Sequence, residues 1–112
     1  MEGELRLRKN KEFQRVYNRG KSYACKQFVL ICLPAPKEEL KVGFSVSKKV
    51  GNSVVRNLLK RRMREQFRHV VGDLKHGWRI VIVARRPALE CDFEALGSSM
   101  RYLLHKAGIF KQ

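Results

Sequence analysis

A chain of 112 residues, 44% of them hydrophobic, has the size of one folded domain with no room for a second, and is too apolar to be a disordered basic tail. Its 25 Lys and Arg against 10 Asp and Glu leave a formal net charge of +15, a self-repulsion that a folded domain sustains when a polyanion neutralises it. The longest apolar run, Phe28 to Leu33, falls far short of the roughly 20 residues of a membrane span. No apolar stretch follows the acidic Glu2 and Glu4, so the chain reads as cytoplasmic, with no secretory signal.

The predicted elements begin at Asn10, a residue suited to cap a helix whose apolar positions Phe13, Val16 and Tyr17 fall at i, i+3 and i+4 and which Gly20 closes. From Ser22 to Leu33 the chain is extended in character and ends at Pro34-Ala35-Pro36. Val42, Phe44 and Val46 alternate with Gly43, Ser45 and Ser47, the period of a strand with one buried face, and a hairpin with the preceding strand is expected. After a basic loop at Lys48 to Asn52, Ser53 is read as the cap of a long helix reaching about Val70, with Gly72 beyond it. Trp78 to Ala84, rich in β-branched residues, is expected to be a central strand covered on both faces. Asp92 caps a last helix carrying Phe93, Leu96, Met100, Leu103 and Leu104, closed by Gly108. The predicted order is α-β-β-α-β-α within a single domain spanning residues 1–112.

Cys25, Cys32 and Cys91 are odd in number and none forms a Cys-x-x-Cys pair, so free thiols are expected. Adding His69, His76 and His105 gives no paired spacing of the kind structural zinc requires, and no metal site is assigned.

The long helix holds the candidate chemistry. Between Lys48 and Arg68 stand eight cations, Lys48, Lys49, Arg56, Lys60, Arg61, Arg62, Arg64 and Arg68, against the single acid Glu65. At helical spacing Val55, Leu59, Met63, Phe67 and Val70 share an arc of about 120°, while Arg56, Lys60, Arg64, Asn57, Arg68 and Arg61 fill a neighbouring arc of about 140°. Guanidinium groups one turn apart fork onto successive phosphate oxygens, and Asn57 adds a neutral contact. A salt-bridged solvent face would instead need acids at i+3 or i+4, and only Glu65 is available.

The run KVGNSVVRNLLKRRMREQFR resembles the RNR motif region of the bacterial ribonuclease P protein subunit. In that family a Lys-x-Gly-x-x-x-x-Arg-Asn-Arg-x-Lys-Arg-x-x-Arg pattern lies on the long helix, and here it reads Lys49, Gly51, Arg56, Asn57, Leu58, Lys60, Arg61 and Arg64, with Leu58 where the family usually has Arg. The resemblance extends to Lys11-Glu12-Phe13 with Val16-Tyr17 and Gly20, to the strand Phe28 to Leu33, to Val42 through Lys49 and to Ile80 through Pro87. It implies an α/β (α+β) two-layer sandwich formed by residues 1–112 as a single RNA-binding domain, its mixed sheet backed by helices, with a left-handed βαβ crossover where strand physics alone favours a right-handed one. It further implies that the chain binds ribonuclease P RNA and the 5′ leader of precursor tRNA, and assists a Mg²⁺-dependent, RNA-catalysed removal of that leader, the Mg²⁺ being held mainly by the RNA.

The family's leader contacts map onto Phe13, Tyr17 and Ile31, with Ile31 replacing the usual aromatic. Phe13 and Tyr17 sit one turn apart, where aromatic faces stack on unpaired bases, but the same spacing is what any amphipathic helix buries, and the sequence supports both readings equally. No catalytic residue is assigned to the polypeptide, because Glu12, Glu65, Asp73 and Asp92 stand singly and the three histidines are scattered. A structural RNA-binding protein such as a ribosomal protein is the rival reading. A DNA-binding regulator fits less well, since a strand and loop, not a helix and short turn, precede the basic helix, and no DNA or membrane partner is expected.

Overall fold

The computed structural model describes residues 6–111, so Glu2 and Glu4 lie outside the described residues. The elements are α1 (Asn10–Arg19), β1 (Lys21–Ala24), β2 (Phe28–Pro34), β3 (Leu40–Val46), α2 (Ser53–Arg68), β4 (Trp78–Ala84) and α3 (Phe93–Lys106), with short 3-10 turns at Val71–Asp73 and Arg86–Glu90. The strands form one mixed sheet in the order β1-β2-β4-β3.

Two expectations about the strands are corrected. The extended stretch from Ser22 to Leu33 is two strands: the chain folds back at Cys25–Gln27, closed by the Cys25 N–H donating to the Phe28 carbonyl at 2.9 Å, and β1 pairs antiparallel with β2. That reversal contains no Gly, Asn or Pro, so the usual turn signals are missing. The expected hairpin between β2 and β3 does not form, because β4 inserts between them, antiparallel to β2 and parallel to β3. Trp78–Ala84 is thus the central strand its composition predicts, with Ile80, Val81 and Ile82 all but fully buried, and a strand apolar on both faces gains most in the middle of a sheet.

The first two helices each start one residue earlier than read. Lys9 precedes α1, with Asn10 already helical, and the Glu12 carboxylate reaches back to accept from the N–H groups of Lys9 and Arg8 at 3.2 and 3.3 Å. Asn52, not Ser53, caps α2 by accepting from the Val55 N–H at 3.0 Å, while Ser53 Oγ accepts from Arg56. The helix stops at Arg68, and Val70 is buried from the turn that follows. Asp92 caps α3 as read, accepting from the Ala95 N–H at 2.8 Å, and Gly108 leaves that helix with φ +74°, a conformation suited to glycine. Gly20 ends α1 for a different reason: its φ is −79°, but a Cβ there would stand 2.5 Å from the Val16 carbonyl oxygen and 2.7 Å from Ile31.

Helices cover both faces of the sheet. On one face Leu30, Val42, Phe44, Ile80 and Ile82 pack against Leu59, Met63 and Phe67 of α2 and Leu96, Met100 and Leu103 of α3, with the Phe44 ring edge-on to Phe67 at 5.7 Å. Each such side chain contributes about 1.5–3 kcal/mol by leaving water. The one buried polar side chain among the described residues, Gln66, ties α2 to α3: its amide donates to the Phe93 carbonyl at 2.6 Å and rests on Gly97, where a Cβ would collide with it. On the other face α1 covers only part of the sheet, through Val16 packed with Leu7, Ile31 and Val81. Cys25, Cys32 and Cys91 are free thiols, and burial pushes the Cys32 thiol up from its ordinary range despite the opposing effect of Lys21.

Two ion pairs fasten the end of the sheet beneath α1. Glu12 faces Lys41 at 3.7 Å and Glu39 grips Arg79 through two nitrogens. Partial burial pushes the Glu12 carboxyl up, but the Lys9 and Arg8 amides with Lys41 and Arg79 outweigh it and hold it below the usual range. The hydrogen bond from Arg79 holds Glu39 below its usual range as well. The unfolded chain therefore takes up these protons first on acidification. Stability from both groups is fully present above about pH 4.3 and is lost as pH falls from there through the lowered values. In urea titrations at about pH 3 and about pH 6, Glu39→Gln should narrow the stability difference between the two conditions, and an unchanged difference would contradict this account.

The Phe13 ring lies directly over Gly43 of β3, where a Cβ would stand 2.5 Å from two ring carbons. Gly43→Ala should cost about 1–3 kcal/mol by forcing the ring off the strand, read as a lower urea midpoint; a neutral result would mean that the ring moves freely.

Candidate nucleic-acid interface

The orientation of α2 follows from its packing. With Leu59, Met63, Gln66 and Phe67 buried, the remaining positions are forced outward or towards the sheet edge at β3. Lys48 and Lys49 are exposed in the loop before the helix, which Val50 anchors by inserting into the core at 6% exposure. Asn57, Arg61, Arg62 and Arg68 are exposed, while Arg56, Lys60 and Arg64 are half-buried along the flank. Arg68 alone of the eight cations has an acid within 4 Å among the described residues, Glu65 at 3.0 Å.

The half-buried cations are the ones most affected by their neighbours. Partial burial pushes the Arg64 guanidinium down, and Arg6 and Arg61 push the same way against the weaker pull of Glu65. This is a site of crowded positive charge that an anion would relieve. Arg56 donates from Nη2 to Ser53 Oγ at 3.1 Å, and its Nε is shielded with no partner among the described residues.

Beside this stripe, between α1 and the β3 edge, runs a groove of two hollows of about 290 and 170 Å³ that share Phe13, Phe44 and Lys60 as walls. Asn10, Gln14, Tyr17 and Ser45 line the first hollow, and Arg6 and Arg64 line the second. Among the described residues no acid lines either hollow. Phe13 is half-buried and Tyr17 is 36% exposed, with ring centroids 6.4 Å apart and planes tilted by 46°. Both core packing and an open aromatic face are thus realised, in Phe13 and Tyr17 respectively. Aromatic rings, side-chain amides and cations in one acid-free groove suit an unpaired nucleic-acid strand.

Ile31 is placed differently from Phe13 and Tyr17. At 8% exposure it is buried beneath α1 with Val16 and Val81 and lines neither hollow. Five residues went unread as contributors in the sequence: Arg6, whose bridge to Val42 brings it beside Arg64; Phe44, whose ring serves both core and groove; and the cations Lys11, Arg15 and Arg19 on the solvent side of α1. The last three had a visible signal in their four-residue spacing, whereas Arg6 and Phe44 had none, because their neighbours come from distant segments.

Among the described residues no three His, Cys, Asp or Glu side chains gather as a metal site, and no helix is long and apolar enough to cross a membrane.

Comparison with known proteins agrees over nearly the full length. A family model described as Ribonuclease P matches residues 1–108. The ribonuclease P protein component of Bacillus pumilus (strain SAFR-032) is 43% identical over 108 residues, covering 96% of this chain and 91% of that protein. That of Clostridium botulinum (strain 657 / Type Ba4) is 44% identical over 108 residues, covering 96% and 97%. The RNase P protein of Staphylococcus aureus superposes with a TM-score of 0.87 at 35% identity, over 96% of this chain and 98% of that one. The RNase P protein from Thermotoga maritima gives 0.82 at 30% identity, over 90% and 96%. With sequence and four-stranded architecture matched together along almost every residue, this chain belongs to the Ribonuclease P protein family.

Proposed function

We propose that this chain is the protein subunit of a cytoplasmic ribonucleoprotein endonuclease that removes the 5′ leader of precursor tRNA, with the chemistry performed by an RNA subunit. The α2 cations hold the RNA subunit, and the groove between α1 and β3 receives the single-stranded leader. The supporting observation is that Lys60 and Arg64 belong to both features, standing on the cationic helix and in the wall of the aromatic groove. An unpaired strand seated there lies against the same helix that grips the catalytic RNA, so the protein lowers the repulsion between two polyanions and orients the substrate.

The described residues do not fit a Mg²⁺ site. Glu12, Glu39 and Glu65 are each engaged by a cation, and no carboxylate cluster exists among the described residues. The metal is therefore assigned to the RNA, and no step is routed through protein ligands. That the family's members are named as protein components supports the subunit reading, and the geometry supports the division of labour within it.

The deciding experiment is cleavage of a precursor tRNA by a bacterial ribonuclease P RNA at low Mg²⁺, with and without this protein. The protein should raise the rate and have no activity alone; cleavage by the protein without RNA would overturn the assignment. Tyr17→Ala should weaken binding of leader-bearing substrate by about 1–3 kcal/mol and leave leaderless tRNA unaffected, with Tyr17→Phe close to wild type. Equal losses for both substrates would remove the leader from the groove.

A further inference from the structure

Two large apolar side chains stand among the exposed cations of α2. Val54 is 77% exposed and Leu58 38%, one helical turn apart, while the helix buries its apolar flank elsewhere through Leu59, Met63 and Phe67. At helical spacing Val54 and Leu58 span an arc of about 40°, with Arg61 about 20° beyond one side and Arg62 about 40° beyond the other. Together with Asn57, Arg61 and Arg64 they line a shallow depression of about 520 Å³ that shares only Arg64 with the walls of the leader groove. Leu58 also occupies the position at which the family pattern carries Arg.

Apolar surface set between cations narrows the choice of partner. A phosphate laid on Val54 and Leu58 would lose hydration and gain nothing from them. A second copy of the chain would bring a further net charge of +15 against unpaired arginines. An A-form duplex offers phosphates and 2′-hydroxyls at its surface and keeps its base faces stacked out of reach. The partner that matches every feature is an unpaired, unstacked nucleoside, whose base face is apolar, whose edge can meet an amide such as Asn57, and whose flanking phosphates can meet Arg61 and Arg62.

We propose that Val54 and Leu58 form a platform for the face of one unstacked nucleoside of the RNA subunit, bracketed by the cations on either side. This rests on the proposed function and deepens it: the outward face of α2 recognises a single-stranded nucleotide in the catalytic RNA as well as its backbone. At position 58 the contact offered is apolar, where the family pattern carries a cation.

The test is a binding titration with a bacterial ribonuclease P RNA across about 50–200 mM salt, combined with chemical probing of the RNA. Leu58→Ser and Val54→Ser should each weaken binding about five- to tenfold with the slope of log K against log salt unchanged. Both should also expose one and the same nucleotide to the probe. Leu58→Met, which keeps size and apolarity, should stay within about twofold of wild type. Val54→Ser removes a side chain with little core contact, so it reads the site even if Leu58→Ser were to destabilise the fold. As a control, Arg61→Ala should lower the salt slope by about 1. If Arg61→Ala acts and neither serine variant does, the platform is wrong and the wider reading stands. If none of the three acts, the assignment of this face to RNA fails with it.

Discussion

The parallel pairing of β3 with β4 is the constraint on which the rest depends. Parallel neighbours cannot be joined by a tight turn, so the chain must leave β3, cross one face of the sheet and return at the start of β4. The crossing element is α2, and the sheet sets its rotation through the buried run of Leu59, Met63 and Phe67 against Phe44 and its neighbours. Once that flank is pinned, the directions of the cations are no longer free. Lys60 and Arg64 turn towards the β3 edge, and Arg61, Arg62 and Asn57 turn outward.

The opposite face of the sheet is deliberately incomplete in its cover. The α1 helix packs through Val16 and rests Phe13 on the bare backbone at Gly43, leaving the strip between itself and the β3 edge open. Among the described residues acids serve the structure, Glu12 with Lys41 and Glu39 with Arg79, and are absent from the groove and nearly absent from the basic helix. This segregation of sign is what the proposed RNA-binding surface needs: acids quench charge where the fold must hold together, and cations stay unpaired where a polyanion would bind.

That arrangement joins two modes of recognition on one helix. Phosphate contacts supply affinity and its salt dependence, whereas aromatic and apolar surfaces sort paired from unpaired nucleotides. Tyr17 and Phe13 offer such surface in the groove, and Val54 with Leu58 on the outward side, each next to cations of α2. In the proposed function the two modes divide the work: phosphate contacts position a strand, and contacts to bases sort which nucleotides are held.

The sequence by itself was enough for the composition of the helical stripe, the central place of Trp78–Ala84, the cap at Asp92 and the family, because these depend on local periodicity, on burial of the most apolar strand and on spacing along one helix. It was one residue off at Asn52, where the adjacent Ser53 is an equally good capping residue, and at Lys9, where the cap contact is made by Glu12 from within the helix and not by the Lys9 side chain. Only the tertiary structure decided the β1–β2 reversal, which has no turn signature, and the insertion of β4 between β2 and β3, since strand order reflects contacts between distant segments. It likewise decided that Ile31 is buried beneath α1 and that Arg6 and Phe44 join Lys60 and Arg64 at the groove. A helix wheel assigns each residue an angle about its own axis, and the neighbour met at that angle is set by how the elements pack.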